Sequence, residues 1–387
     1  MHKWQTRVRH AVPLAALGLV LALVAGCGSS SNSSSSTSGS TGTGASSTPA
    51  NANSNIKVAV LSTGAVNNRS WANSWAVGVA KAAKDLGVKT TMVGNVETPD
   101  QYVQQGSSFA AKGYNLVVFA HGAMDAPAQK LARQFPKVQF VQAPFEFVND
   151  AERKKEPPNL GHVDFKQEQG TFLAGAMAAM VSKTKKLGAV YAFPFPALTR
   201  QPEGFTLGAR CVDPKIQVVQ KATNSFTDAA LARAAASSLY SDGADVIISS
   251  VDQAVQGVIA AANSAGGGKY VVPSYFDDAS LGPKVVLTSV LYNLNGVAED
   301  IIKSYTDKKI TDNWYKDYTL ANGKIGELAP NPALSSVVTP DIQKKVDAFK
   351  AKIISGQIKV PDAVTGSPTI GSKVGSGMKI DPKSIGC

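Results

Sequence analysis

The chain is poor in the side chains on which metal sites and many enzymes depend. Its 387 residues include only three cysteines and four histidines. Beyond the N-terminal segment only His121 and His162 remain, and neither has a second ligand at the spacing of a zinc site. We therefore expect neither a metal ion nor a cofactor.

The common catalytic motifs are also missing. The sequence has no Gly-x-Ser-x-Gly elbow, no phosphate-binding P-loop and no Gly-x-Gly-x-x-Gly that opens a helix after a strand. The glycines at 266–268 follow a helical pattern and indicate a turn. Because no evident motif pairs a nucleophile with a base, we expect that the protein is not an enzyme.

Positive charge is in excess, but it is spread along the chain. Lysine and arginine number 39 against 28 acidic residues, a net charge of +11, which falls to about +8 without the basic residues of positions 1–9. No basic stripe interleaved with aromatic residues accompanies the excess, so we expect no nucleic-acid partner. A solubilising surface explains the charge, which would also favour an anionic membrane surface.

The N-terminus has the three parts of a secretory signal peptide, which we assign to residues 1–26. Basic residues precede an apolar run, Ala11–Val24, and small residues follow it. The run is short for a membrane span, which needs about 20 residues. Val24-Ala25-Gly26-Cys27 is similar to the lipobox of bacterial lipoproteins, which implies that Cys27 is lipidated. A plain signal peptide or a short membrane helix is the alternative.

Residues 27–54 are interpreted as the lipidated cysteine followed by a flexible tether. After Cys27 the segment is nearly all Ser, Thr, Gly, Ala and Asn, without charge or large apolar side chains. Such a composition buries too little surface to offset the entropy of ordering.

From residue 55 onward, short apolar runs alternate with amphipathic stretches, which predicts parallel sheets with helices on both faces. A helix at 169–183, rich in alanine and glycine, indicates close packing at a junction. Thr339-Pro340-Asp341 predicts the start of a late helix. The predicted strands are 57–61, 88–93, 116–119, 138–142, 187–191, 216–220, 245–249, 270–273 and 285–290; the predicted helices are 74–86, 101–112, 127–135, 169–183, 202–211, 227–241, 253–264, 296–306 and 339–355.

Two successive sheets predict an α/β, two-lobed fold of the type I periplasmic-binding-protein kind, with a hinge between the lobes. We assign 55–165 to the first lobe and 166–290 to the second. Residues 291–387 are expected to cross back and complete both lobes with C-terminal helices and a tail. Open α/β sheets bind ligands beyond the carboxyl ends of their strands, so the ligand should lie between the lobes, which close by a hinge.

Candidate ligand-binding residues follow the predicted strands of the first lobe. Asn68 can donate and accept hydrogen bonds at a heterocycle edge, and Trp71 can stack on a flat ring. His121 and Met124 follow the third strand. A capped helix start above a packed aromatic residue, or a simple turn, would also explain these residues.

The second lobe offers a ring and two carboxylates at equivalent places. Phe226 precedes a helix, Asp252 follows the strand at 245–249, and Asp278 follows the strand at 270–273. A carboxylate in such a place accepts from ring N–H groups, amino groups or sugar hydroxyls. Alternatively, the segment around Phe226 only caps the helix that follows it, through residues near 228.

Three stretches resemble the basic membrane protein (PnrA-like) family, the substrate-binding lipoproteins of ABC importers. They are Val163-Asp-Phe-Lys-Gln-Glu-Gln-Gly-Thr-Phe-Leu-Ala-Gly175, Ser182-Lys-Thr-Lys-Lys-Leu-Gly188 and Lys352-Ile-Ile-Ser-Gly-Gln-Ile-Lys-Val-Pro361. The resemblance covers nearly the whole mature domain. It implies a purine held between aromatic side chains of both lobes, with polar contacts to the ring. The family's ligand contacts map onto Asn68, Trp71, Phe226, Asp252 and, more loosely, Asp278.

Other features resemble the branch of the family that takes free purine bases. Ala192-Phe-Pro-Phe-Pro196 and Phe205-Thr-Leu-Gly-Ala-Arg210 are similar to that branch, as is Trp71, where nucleoside receptors usually have Phe. Asn68 replaces a common acidic residue, and Tyr292 stands where nucleoside receptors tend to carry a sugar-binding Lys. Both departures argue against a nucleoside.

The resemblance implies an extracytoplasmic receptor that captures a purine base or a similar flat N-heterocycle and delivers it to a membrane permease. We expect a monomer anchored to the cell membrane by lipid on Cys27. A purine-nucleoside receptor, a sensor for a membrane signalling protein and a structural surface lipoprotein are the alternatives. The other two cysteines, Cys211 and Cys387, can form a disulfide or remain thiols.

Overall fold

The computed structural model describes residues 53–67, 69, 71–122, 124–144, 151, 154–361 and 381–387. The predicted signal peptide, Cys27, most of the predicted tether and Asn68 therefore lie outside the described residues. Within these ranges, no helix combines the length and the apolar character that a membrane crossing requires.

The first lobe is built on a six-stranded parallel sheet in the order β2-β1-β3-β4-β5-β11. Its central strands are apolar and buried on both faces, because helices cover both sides of a parallel sheet. The strands are β1 (Lys57–Ser62), β2 (Lys89–Val93), β3 (Leu116–Ala120), β4 (Gln139–Gln142), β5 (Leu160–Phe165) and β11 (Tyr315–Tyr318).

The second lobe has a sheet of the same size in the order β7-β6-β8-β9-β10-β12. Five of its strands run parallel, and β12 joins the edge antiparallel to β10. The strands are β6 (Lys186–Tyr191), β7 (Gln217–Ala222), β8 (Val246–Ser250), β9 (Tyr270–Tyr275), β10 (Thr288–Tyr292) and β12 (Ile325–Pro330).

Local capping signals begin several of the helices. Thr98 and Gln101 form a capping box at the start of α2, and Asp228 accepts two backbone N–H bonds at the start of α6. The predicted late helix is confirmed, with Thr339 as its N-cap and Pro340 as its first residue. In the described ranges the helices are α1 (Trp71–Leu86), α2 (Pro99–Ala111), α3 (Asp125–Gln134), α4 (Gln167–Val181), α5 (Pro196–Val212), α6 (Ala229–Ser241), α7 (Val255–Ser264), α8 (Leu294–Thr306) and α9 (Pro340–Ile354).

The chain passes between the two sheets three times, after β5, after β10 and after β11. The sequence patterns predicted none of β5, β11 and β12. The β11 segment, Tyr315-Lys-Asp-Tyr318, has no apolar run, and β5 interrupts its apolar residues with Gly161, His162 and Asp164. These strands form because the sheet offers them partners, which a local pattern does not reveal.

The glycine-rich helix α4 packs closely against α5. A Cβ added at Gly175 would collide with the carbonyl group of Phe205, and one added at Gly208 would collide with that of Phe172. The prediction of close packing at this junction is therefore confirmed, with reciprocal glycines as its cause.

A disulfide joins Cys211, at the end of α5, to the C-terminal Cys387. The two Cα atoms lie 5.5 Å apart, and 176 positions separate the residues in sequence. Backbone bonds add to this link, since the Lys359 amide donates to the carbonyl of Ile385. The C-terminus is thus held against the second lobe.

We predict that Gly175→Ala destabilises the protein by about 1–3 kcal/mol, because a methyl group there forces the two helix backbones apart. Urea unfolding of the mature domain measures the change. Gly267→Ala is the matched control, since an added Cβ at Gly267 meets nothing within 4 Å. Equal stability of the two variants would contradict the close-packing account.

Candidate functional site

A cavity lies between the lobes, where the carboxyl ends of both sheets meet. The first lobe contributes residues that follow β1, β3 and β4, and the second contributes residues at or after β7, β8 and β9. This is the position at which open α/β sheets bind ligands. The lining residues are Thr63, Trp71, His121, Gly122, Pro144, Gln167, Phe195, Ala197, Leu198, Phe226, Asp252 and Tyr275.

Trp71 is the first residue of α1 and is firmly held. Its indole N–H donates to the carbonyl of Ala120 at 2.8 Å, and its ring packs against Phe165 and Tyr275 with centroids 5.9 and 5.7 Å away. Only 9% of the residue is exposed. The ring therefore borders the cavity in one orientation.

Asp252 comes from the other lobe, in the turn after β8, and meets the same helix start. Its Oδ1 accepts the backbone N–H of Trp71 at 3.2 Å. A carboxylate at a helix N-terminus is stabilised by the unpaired N–H groups and the helix dipole. The contact links the two lobes directly beside the cavity.

Burial nevertheless makes the Asp252 carboxylate hard to ionise. Desolvation raises its pKa to about 7, the Trp71 N–H lowers the pKa, and the negative charges of Asp278 and Glu97 raise it further. At neutral pH this group can therefore both accept a hydrogen bond and take up a proton.

His121 is a neutral hydrogen-bonding group in the cavity wall. Burial lowers the pKa of its imidazole, although the Gly122 carbonyl opposes that shift. Nδ1 faces the Gly122 carbonyl and so carries the proton, which leaves Nε2 as an acceptor. The ring packs against Tyr102 and Phe195, at 6.0 and 6.4 Å between centroids.

Phenylalanine rings supply the apolar wall of the second lobe. Phe226 is half-buried and packs against Phe193 with 5.0 Å between centroids, and Phe195 lines the cavity beside it. Trp71 from the first lobe and Phe226 from the second thus border one cavity, as expected from the sequence.

Two of the expected ligand contacts, Met124 and Asp278, are not among the described residues that line the cavity. Met124 packs in the apolar core of the first lobe, with 4% of its surface exposed. Asp278 lies outside the lining and faces Arg69, with 3.5 Å between carboxylate and guanidinium. Asn68 lies outside the described residues.

Tyr292, which stands where nucleoside receptors tend to carry a sugar-binding Lys, is not among the residues that line the cavity. It is 3% exposed and stacks edge-on behind Tyr275, with 5.1 Å between centroids. It supports a lining residue and is not itself part of the lining.

Sequence reasoning missed Gln167, Phe195 and Tyr275, all of which line the cavity. Gln167 and Phe195 stand inside motifs that carried the family resemblance, so those motifs were the available signal. Tyr275 ends β9, three residues before Asp278, and it is the residue of this segment that lines the cavity.

A polar outer cleft continues from the cavity toward solvent. Both are bordered by Thr63, His121, Phe195, Phe226 and Asp252. The outer cleft, as we call it below, adds side chains that can hydrogen-bond to hydroxyl groups: Glu97, Asn224, Ser225, Thr227 and Gln253.

One group of potential metal ligands lies away from the cavity, in the first lobe. Asp125, Glu156 and the fully buried His162 place ligand atoms within 4.8 Å of one another. The amide of Gln129 donates to both carboxylates, at 2.9 Å each. Sequence spacing gave no sign of this group, because its members belong to three separate segments.

The comparisons with known proteins agree with this geometry. The family model described as ABC transporter substrate-binding protein PnrA-like matches residues 55–363. Basic membrane protein A2 of Borrelia garinii subsp. bavariensis is 25% identical over 315 residues, which is 79% of this chain and 88% of that protein. Basic membrane protein D of Borreliella burgdorferi (strain JD1) is 31% identical over 206 residues, 53% of this chain and 60% of that protein.

Solved structures share the fold. A solute-binding protein of an ABC transporter system from Aeropyrum pernix K1 superposes with a TM-score of 0.68 at 19% identity, covering 79% of this chain and 92% of that chain. One from Conexibacter woesei DSM 14684 has a TM-score of 0.61 at 24% identity, covering 79% and 99%. The expected type I periplasmic-binding-protein fold is thereby confirmed.

We predict that Asp252→Asn stabilises the ligand-free protein at pH 8 and has little effect near pH 4. Since the folded pKa of about 7 exceeds the roughly 3.9 of an unfolded Asp, the folded state binds more protons between these values. The free energy of unfolding of the wild type therefore falls as the pH rises from 4 to 7, and the neutral amide avoids that loss. Each pKa unit is worth about 1.4 kcal/mol.

Thermal unfolding from pH 4 to pH 8 measures the difference between variant and wild type. Asp312→Asn, at an exposed carboxylate, is the control. A constant deficit of Asp252→Asn at every pH would mean that the hydrogen bond to Trp71, and not the buried charge, dominates.

Proposed function

Because the chain belongs to the PnrA-like family of ABC-transporter substrate-binding proteins, we propose that it captures a purine base or a similar flat N-heterocycle for import. Proteins of this family act outside the cytoplasmic membrane, bind a small molecule and work with a membrane permease. The purine base, the lipid anchor at Cys27 and a monomeric state are the finer parts of the proposal.

The observation that carries the proposal is the pair of aromatic side chains that border the cavity from opposite lobes. Trp71 is fixed by its bond to Ala120, and Phe226 is half-buried on the other side. Base–aromatic stacking contributes about 1–3 kcal/mol per base. A flat ring between the two side chains would also draw the lobes together.

Polar groups around these rings support a heterocycle over a plain aromatic ring. Asp252 and His121 Nε2 offer acceptors, and Gln167 offers an amide in the same cavity. A purine base presents both donors and acceptors along its edge. Apolar lining with few convergent polar groups is typical of small-molecule sites.

The outer cleft favours a second candidate, a purine nucleoside. Its polar side chains, among them Glu97 and Gln253, continue directly from the cavity. A ribose attached to a base in the cavity would project toward them. The base and nucleoside hypotheses therefore differ in whether the outer cleft contributes to binding.

A thermal-shift panel on the mature domain tests the proposal. It includes adenine, hypoxanthine, guanine, xanthine, their nucleosides, and sugars and amino acids as negative controls. A ligand at 100 times its dissociation constant adds about 2.7 kcal/mol to the free energy of unfolding. Stabilisation by bases alone supports the base receptor; stabilisation by nucleosides alone supports the second candidate. No response to either class would contradict both.

We predict that Phe226→Ala weakens binding of the stabilising purine by about 1–3 kcal/mol, which is roughly 5- to 150-fold in Kd, through loss of stacking. Isothermal titration measures the affinity. Phe135→Ala, at a half-buried ring in the first lobe away from the cavity, should bind like the wild type. Unchanged affinity in both Phe226→Ala and Trp71→Ala would eliminate the stacked arrangement.

The anchor is tested on the full-length chain. Mass spectrometry of the mature protein should show an N-terminal cysteine carrying lipid, and Cys27→Ala should leave the membrane fraction. Retention of Cys27→Ala in that fraction would contradict anchoring through this residue.

A further inference from the structure

A buried hydrogen-bond network lies directly beneath the cavity and centres on Gln201 of α5. Gln201 is fully buried. Its Nε2 donates to Gln167 Oε1 at 2.8 Å and to the Tyr275 hydroxyl at 3.1 Å, and its Oε1 accepts the Ser250 hydroxyl at 2.7 Å. Both of its N–H groups and its carbonyl oxygen therefore have partners.

The number of donors decides which way the Gln201 amide points. In the reversed orientation the oxygen would face Gln167 and Tyr275, and only Ser250 would remain for the two N–H groups. One N–H would then be buried without a partner among the described residues. Buried unpaired donors are rare and costly in folded proteins, so the observed orientation is favoured.

This orientation determines what Gln167 offers to a ligand. Gln167 is 2% exposed and lines the cavity, and its Oε1 is occupied by the N–H of Gln201. Because Oε1 points at Gln201, the NH2 is the end of the Gln167 amide that points away from Gln201, and an NH2 can only donate. A ligand that contacts this NH2 must offer it an acceptor.

We propose that Gln201 is a positioning residue that holds Gln167 as a donor, so that the site selects a ring carrying an oxo group over one carrying an amino group at the edge facing Gln167. The inference rests on the proposed function. An oxo group accepts a hydrogen bond from the NH2 of Gln167. An amino group would face that NH2 with donors of its own, and the N–H groups of both would remain unpaired. Such mismatches of buried polar groups are the strongest source of ligand discrimination.

Hypoxanthine and adenine are the matched probes, since they share the purine ring and differ in an oxo against an amino substituent, with the accompanying proton on N1 of hypoxanthine. We expect the wild-type mature domain to bind hypoxanthine at least tenfold more tightly than adenine in titration calorimetry at pH 8. Gln201→Met removes the donors while keeping the side-chain length, which frees the Gln167 amide to rotate. The preference should then fall to within about threefold.

The ratio of the two affinities separates positioning from general damage to the fold. A merely structural defect would weaken both ligands by the same factor and leave the ratio unchanged, and that result would overturn the proposal. Ser250→Ala, which removes the donor to Gln201 Oε1 and a 3.5 Å contact with the Ser274 hydroxyl, should lower the ratio as well and serves if Gln201→Met does not fold. Gln256→Met, at an exposed position of α7, is the control for the chemical change and should keep the wild-type ratio.

The outcomes also distinguish this inference from the proposed function. Equal binding of both purines, or preference for adenine, by the wild type would overturn the role of Gln201 and leave a purine receptor. Binding of neither purine nor of their nucleosides would overturn both.

Discussion

The hydrogen bond from the Trp71 backbone amide to the Asp252 carboxylate connects the two lobes at the cavity. It joins the first residue of a first-lobe helix to a turn of the second lobe, beside the indole ring that borders the cavity. The same contact holds a carboxylate in a place where burial raises its pKa to about 7. The contact between the lobes, the start of the helix that carries Trp71 and the pKa of the Asp252 carboxylate are therefore linked through one bond.

Other contacts join the two lobes across the cleft. The Arg69 guanidinium donates to the carbonyl of Asp277 at 2.8 Å and lies 3.5 Å from the Asp278 carboxylate. Asp278, expected to contact the ligand, thus contributes to the contact between the lobes. Its pKa is raised to about 6 by burial, which the positive charge of Arg69 partly offsets.

A buried ionic cluster stabilises the first crossing between the lobes. Arg200 of α5 donates to the Asp164 carboxylate at 2.9 Å and to the Phe165 carbonyl at 2.7 Å, at the end of β5. Breaking a buried pair by removing one partner typically costs about 3–5 kcal/mol. Next to this cluster, Gln201 contacts Gln167 and Tyr275, so consecutive residues of α5 contact the first crossing between the lobes and the lining of the cavity.

The sequence by itself determined the fold class, most strand and helix positions and the segments that follow the strands. Apolar periodicity is a local property, and parallel strands place their carboxyl ends at one edge wherever they pair. Trp71, His121, Phe226 and Asp252 could be selected on that basis. The family motifs added the identity of the fold, but they did not indicate which of their residues line the cavity.

Only the tertiary structure decided which residues share the cavity and which lie beside it. Met124 enters the core because α3 turns it inward, and Asp278 is drawn to Arg69 across the cleft. Gln167 and Tyr275 both line the cavity and accept hydrogen bonds from Gln201, which lies 34 and 74 positions away in sequence. Strand β11 pairs with β5, which lies more than a hundred residues earlier in the sequence. Strand β12 pairs with β10, which lies tens of residues earlier. Contacts of this kind depend on long-range packing, which short-range patterns do not encode.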